Sequence, residues 1–224
     1  SRGATDVMDV RTFTGGGFGE HAYLVACSET NHAVVVDPGG AAHDIVAALH
    51  GSDLKLDAIL LTHAHLDHVE GVDDVRAFAP EVPIWLHRDD YELYMALPWQ
   101  ASLFGLTAKD QPAPTHELEH GQRYTFGDCA FDVRFTPGHS PGHVIFVAVG
   151  EPLALSGDIV FMGSIGRTDL PGGNFQTLMK SIREEVLTLP DDTVLHSGHG
   201  PATTVGHERV GNPFLVPHYR GETA

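Results

Sequence analysis

The chain has 224 residues, 42% of them hydrophobic, with 13 Lys and Arg against 30 Asp and Glu and a formal net charge of −17. That length suits one domain whose core needs no covalent staple, and the acidic surplus argues against nucleic acid or an anionic membrane as partner. The longest apolar runs fall far short of the ~20 residues that cross a bilayer, so the expectation is a soluble, non-secreted, cytoplasmic protein.

Residues 1–7 lack an initiator Met and read as a possible tag or disordered N-terminus, which leaves 8–224 as a single domain. Strand signals at 8–14, 20–27 and 32–37 alternate with turns, the last closed by Pro38-Gly39-Gly40. Ile45, Val46 and Leu49 sit at helical spacing within 41–50. The run Asp57-Ala58-Ile59-Leu60-Leu61 then reads as a strand that ends at His63. A second helix is expected from near Asp67 through Val75 and Phe78 to Ala79, stopped by Pro80 and Pro83. A short strand at 83–87 and a helix at 89–97 follow. Weak periodicity and several prolines make 98–120 a loop or lid-like insert. Strands at 123–126, 130–135, 144–149 and 153–155, a helix at 175–189 and a strand at 193–196 complete the pattern. The order suggests two sheets packed face to face with helices outside, and no repeat is present. Cys27 and Cys129 lie in strand-like apolar contexts and read as small buried residues, not as a disulfide or metal ligands.

The densest chemistry is Thr62-His63-Ala64-His65-Leu66-Asp67-His68. In an extended stretch alternate side chains share a face, so His63 and His65 can reach one point while Asp67 and His68 face a second one past the turn. Neutral imidazole and carboxylate suit borderline divalent metals, so the spacing reads as one metal site or two adjacent ones. Three later segments end a strand in a glycine turn carrying a ligand-type residue: Thr136-Pro137-Gly138-His139-Ser140, Ser156-Gly157-Asp158 and Ser197-Gly198-His199-Gly200. Glycine permits the sharp turn that aims each of them at a shared rim.

In these motifs and their order the chain resembles the metallo-β-lactamase superfamily. Asp158-Ile159-Val160-Phe161, the segment Gly163-Ser164-Ile165-Gly166-Arg167-Thr168-Asp169 and the ending Asn212-Pro213-Phe214-Leu215 look like the short bacterial glyoxalase II-type hydrolases. The resemblance implies an α+β fold, a four-layer αββα sandwich with the metal site at the edge of the two sheets. It further implies two divalent metal ions, zinc or else iron or manganese. One would be held by His63, His65 and His139, the other by Asp67, His68 and His199, with Asp158 bridging both. Asp67 and Asp158 would thus be catalytic.

A metal pair roughly 3.5–4 Å apart lowers the pKa of water towards 7, which makes hydroxide available to attack a thioester carbonyl. A thiolate leaves without a dedicated acid, because its conjugate acid has a pKa of about 8.5. Asp37 is a candidate for orienting a ligand imidazole through its second ring nitrogen, and His143 and His196, beside ligands, for structural or supporting hydrogen bonds. Arg167 is the candidate for gripping the carboxylate of an anionic substrate such as a glutathione thioester, although the glyoxalase II enzymes often carry a tyrosine where this chain has Asp169. The expected function is hydrolysis of S-D-lactoylglutathione or a related small-molecule thioester. The alternatives are a one-iron persulfide dioxygenase, a lactonase or another small-ester hydrolase of the same superfamily.

Overall fold

The computed structural model describes residues 7–216. The expectation for the opening stretch lies outside the described residues except at Val7, whose backbone N–H donates to the Glu151 carboxylate.

The first sheet runs in the order of the chain: β1 (Met8–Gly15), β2 (Glu20–Cys27), β3 (His32–Val36), β4 (Lys55–Leu60), β5 (Ile84–His87) and β6 (His116–Leu118). β1 to β3 pair antiparallel through short turns, whereas β3 to β6 pair parallel. Parallel neighbours need a crossover, and the intervening helices supply it: α1 (Ala42–His50), α2 (Leu66–Val69), α3 (Val72–Phe78), α4 (Tyr91–Met95) and α5 (Leu97–Leu103). The second sheet contains β7 (Arg123–Phe126), β8 (Cys129–Phe135), β9 (Val144–Ala148) and β10 (Leu153–Gly157). A small hairpin of β11 (Val160–Phe161) and β12 (Ser164–Ile165) leads to α6 (Phe175–Ser181). The chain re-enters the second sheet with β13 (Val194–Ser197) and β14 (Thr203–Thr204) before α7 (Val205–Gly211).

Strand alternation sorts the core into three apolar layers. Ala22, Leu24 and Ala26 of β2 face outward to Ile45 and Leu49 of α1 and Val72 and Val75 of α3. Tyr23, Val25 and Cys27 of the same strand face inward to Phe131, Val133 and Phe146 of the second sheet. On the far side Ile145, Ala154 and Leu195 meet Leu178, Met179 and Ile182. Both faces of each sheet are therefore covered, which explains why β2 and β3 read as continuous apolar runs. The arrangement is the expected αββα sandwich. Cys27 and Cys129 are buried free thiols in the layer between the sheets.

Several expectations change. The strand before the histidine motif stops at Leu60, so His63 lies on the loop beyond it. The second helix is two helices, interrupted at residues 70–71, and the close approach there requires glycine at 71, since a Cβ would come within 2.3 Å of both Ala42 Cβ and the Gly39 carbonyl oxygen. The 98–120 insert is only partly a loop, since it begins with most of α5, started by a proline in its first turn, and ends in the edge strand β6. α6 also gives way to a π-helical turn at Ile182–Val186, and α7 and the β11–β12 hairpin were not anticipated. No helix among the described residues is long and apolar enough to cross a membrane.

Gly71 is held for space, not for backbone freedom. Gly71→Ala should therefore destabilise the protein by about 1–3 kcal/mol through overpacking at the α1 contact, read as a lower urea midpoint with an unchanged slope.

Candidate metal centre

The ligand-type residues gather at one rim of the sandwich, Asp67 and His68 on α2 and the others on the loops that follow β4, β8, β10 and β13. β3 and β4 run parallel with Val36 opposite Leu60, so Asp37 and Thr62 emerge side by side. Asp37 turns the chain with a left-handed φ of 52°, a conformation that Asp tolerates better than most residues. Its Oδ1 accepts from the Thr62 backbone N–H at 2.7 Å, and its Oδ2 accepts from Thr62 Oγ1 at 2.6 Å and His68 Nδ1 at 2.9 Å.

These bonds fix tautomers. Because the Thr62 hydroxyl proton goes to Asp37, its oxygen accepts from His63 Nδ1 at 2.9 Å. His63 and His68 thus both carry a proton on Nδ1 and turn Nε2 to the cluster; burial opposes charge on His68, but Asp158, Asp67 and Asp37 raise its pKa well above the ordinary value, so its Nε2 would offer a lone pair once a metal displaces the second proton. His139 donates Nδ1–H to the Arg167 carbonyl at 2.7 Å and likewise presents Nε2. His143 has the reverse duty. Its Nε2 accepts the Asp158 backbone N–H at 3.1 Å, so its Nδ1–H goes to Thr136 Oγ1 at 2.8 Å and it has no lone pair left to offer.

The presented atoms converge. Asp158 Oδ2 lies 3.9 Å from His63 Nε2, 3.1 Å from His68 Nε2, 3.4 Å from His139 Nε2 and 3.5 Å from His199 Nε2. Asp67 Oδ2 lies 3.1 Å from His199 Nε2 and 3.7 Å from His68 Nε2. His65 turns Nδ1 to His139 Nε2 at 3.0 Å. Two groups result, His63 with His65 and His139, and Asp67 with His68, Asp158 and His199; the ligand atoms within each lie within 4.8 Å of one another.

The electrostatics of the cluster are those of a cation site. Burial, aided by His139, lowers the His65 pKa to about 3, so its imidazole is neutral and shares a single N–H hydrogen bond with His139 across 3.0 Å. Burial also disfavours the charge on Asp158, yet the surrounding imidazoles, His68 first and then His139 and His199, hold its carboxyl well below the usual range. Nε2 of His63 and Oδ1 of Asp158 are buried with no hydrogen-bond partner. Buried polar atoms of this kind are costly unless something pairs them, and a set of imidazole and carboxylate donors fits a divalent metal.

Sequence reasoning missed several supports. Asp90, fully buried, accepts from the Ala64 backbone N–H at 2.9 Å, Ser140 Oγ at 2.8 Å and the Gly142 backbone N–H at 2.5 Å, so it ties the His63 loop to the His139 loop. Gln100, in the stretch expected to be a loop, accepts from the Leu66 N–H and donates to the Ala64 carbonyl. Neither carried a signal, because both act from elements remote in sequence. Gly198 did carry one: a Cβ there would come 2.1 Å from Asp158 Oδ1. Glu20, buried beside Asp67 with both carboxylate oxygens unpartnered, is pushed up to about 10 by burial. His196 belongs to none of the ligand groups; its ring meets Tyr23 edge-on at 5.8 Å, and the Tyr23 hydroxyl donates to the Ser197 carbonyl. Arg167 stands at the mouth but holds Asp169 through two bonds of 2.7 and 2.9 Å.

A cavity of about 330 Å³ opens onto the cluster, with His65, Asp67, His139, Asp158 and His199 on its floor and Phe18, Phe104 and Arg167 among its walls.

Comparison with known proteins agrees with this architecture. A family model described as the metallo-beta-lactamase superfamily matches residues 15–199. The chain is 38% identical to the hydroxyacylglutathione hydrolase GloC of Haemophilus influenzae, over 88% of this chain and 93% of that one. It is 40% identical to YqgX of Bacillus subtilis, named a probable metallo-hydrolase, over 87% and 92% of the two chains. Among solved structures, TTHA1623 in a di-iron-bound form is 42% identical, with a TM-score of 0.84 over 92% of this chain and all (100%) of that one. The B3 metallo-beta-lactamase BLEG-1 is 39% identical, with a TM-score of 0.85 over 92% and 99%. ETHE1 from Myxococcus xanthus, 23% identical with a TM-score of 0.76 over 92% and 84%, shares the fold.

Asp90→Ala strands three donors in the interior, each costing about 1–3 kcal/mol. A loss of at least about 2 kcal/mol in denaturant unfolding is expected, whereas a change below about 0.5 kcal/mol would show that water replaces the carboxylate.

Proposed function

Because the chain belongs to the metallo-beta-lactamase superfamily, we propose that its substrates are acyl thioesters of glutathione, with S-D-lactoylglutathione as the reference substrate. That it is a metal-dependent hydrolase of this superfamily follows from the family match and its curated relatives. The observation that carries the reading is the position of Asp158 Oδ2, within 3.9 Å of ring nitrogens from both groups of ligands. His63, His65 and His139 would hold one divalent ion, Asp67, His68 and His199 the other, and Asp158 both. Zinc, iron and manganese all suit these donors; TTHA1623 was solved with two irons. Bound there, two ions would supply Lewis acidity to polarise a carbonyl and would lower the pKa of water.

The residues themselves do the rest. Asp67 and Asp158 are the two acids lining the cavity, and both are held below the usual carboxylate range against the cost of burial, by His68 and His199 for Asp67 and by His68, His139 and His199 for Asp158. Their anionic oxygens orient a water by accepting its hydrogens. Asp37 and the Arg167 carbonyl keep His68 and His139 in the tautomers that leave Nε2 free. Arg167 can exchange Asp169 for a substrate carboxylate at small cost, since both side chains are exposed and such pairs contribute only about 0–1 kcal/mol. Support for glutathione as the thiol comes from the likeness to GloC.

The test is metal analysis and steady-state kinetics on one sample, using S-D-lactoylglutathione, a lactone, a β-lactam and glutathione persulfide. About two metals per chain with thioester cleavage fastest is the expected result. One iron per chain with oxygen uptake on the persulfide would overturn it. His65→Ala should lower thioesterase kcat/KM on the order of 10³-fold or more. Asp37→Ala, which touches no substrate, should weaken metal affinity about 10–100-fold, measured by competition with a chromogenic chelator.

A further inference from the structure

Resting on the thioesterase reading, we infer that this site favours thioesters whose acyl group is apolar, and that the pair Phe18 and Phe104 is the wall selecting it. Above the ligand floor the cavity is lined by Phe18, Leu66, Phe104, Phe161, Ile165 and Leu170. Phe18 stands in the turn between β1 and β2, Phe104 at the end of α5, and their rings meet edge to face at 5.5 Å. They remain 41% and 38% exposed. Large exposed apolar surface beside a cavity is a mark of ligand contact.

The polar groups on the same wall are mostly spent. Gln100 uses its oxygen on the Leu66 N–H and its amide nitrogen on the carbonyls of Ala64 and Leu93. Arg167 faces Asp169 and lies where the anionic thiol portion of a glutathione thioester can claim it. Ser164 is the remaining side chain, and its hydroxyl makes only a long 3.5 Å contact to the adjacent Ile165 carbonyl. A site selects a hydroxylated acyl group only when it offers that hydroxyl a built partner. An apolar wall instead rewards added methylenes, each worth roughly 10-fold or more in specificity. Removing the 2-hydroxyl from a lactoyl group should therefore cost this protein nothing, and lengthening the chain should help.

The metal-loaded protein is assayed with lactoyl-, propionyl-, hexanoyl- and phenylacetyl-glutathione. Propionyl and lactoyl thioesters differ by one hydroxyl. We expect kcat/KM for propionyl at least equal to that for lactoyl, and for hexanoyl or phenylacetyl at least about tenfold higher. The Phe18→Ala/Phe104→Ala double variant, altered only at exposed positions, should bring that ratio below about threefold at unchanged metal content. Binding supplies a readout free of turnover: calorimetry should show S-hexylglutathione binding at least about tenfold tighter than S-methylglutathione, with the difference lost in the variant. A preference for lactoyl over propionyl, or a hexanoyl-to-lactoyl ratio untouched by the double variant, would overturn the inference while leaving the thioesterase reading intact. Failure to cleave any thioester would remove both.

Discussion

A carboxylate oxygen buried among four imidazoles organises this protein. Asp158 Oδ2 has ring nitrogens from the β4–α2 loop, α2 itself, the β8–β9 turn and the turn after β13 within 3.9 Å. A buried anion with lone pairs pointed at it is unfavourable on its own. The arrangement suits a bound divalent cation, and the unpartnered atoms of His63 and Asp158 point to where one would be held. Two sheets with parallel strands aimed at one edge let segments so far apart in the chain end at the same place.

Around that oxygen stands a layer of hydrogen bonds whose work is to fix tautomers. Asp37 reaches His68 directly and His63 through Thr62. The Arg167 carbonyl does the same for His139, and His143 anchors the Asp158 backbone. Asp90 and Gln100 then lock the ligand loops to the helical side of the first sheet. Metal sites are tuned by such partners nearly as much as by their ligands, so this layer accounts for why an exposed rim can hold a rigid constellation.

The cavity above the frame has a different character from its floor. Charge and imidazole lie below, aromatic and aliphatic side chains above, and one cation stands at the mouth in partnership with Asp169. Floor and wall come from different parts of the chain. The segments that carry the imidazole and carboxylate cluster are α2 and the loops that follow strands of the two large sheets, whereas the wall is built from a hairpin turn, α5 and the β11–β12 hairpin. Floor and wall can therefore change separately in this fold.

The local pattern of the chain determined the layered α and β architecture, the density of ligand-type residues at 62–68, and the glycine turns that carry His139, Asp158 and His199. Hydrophobic alternation and motif spacing are short-range properties, so they can be read directly. Even Asp37 was legible, because a carboxylate closing an apolar strand before Pro-Gly has few other places to point. What the tertiary structure decided is which distant groups meet. Asp90 looked like an ordinary helix residue and Gln100 like a loop residue until folding set them against the segments that carry His63 and His139. His196 belongs to none of the ligand groups and packs on Tyr23. The 98–120 segment looked structureless, yet α5 brings Phe104 to Phe18 across more than eighty residues of chain. Hydrogen bonds and packing between remote segments depend on where the backbone returns, and no local periodicity encodes that position.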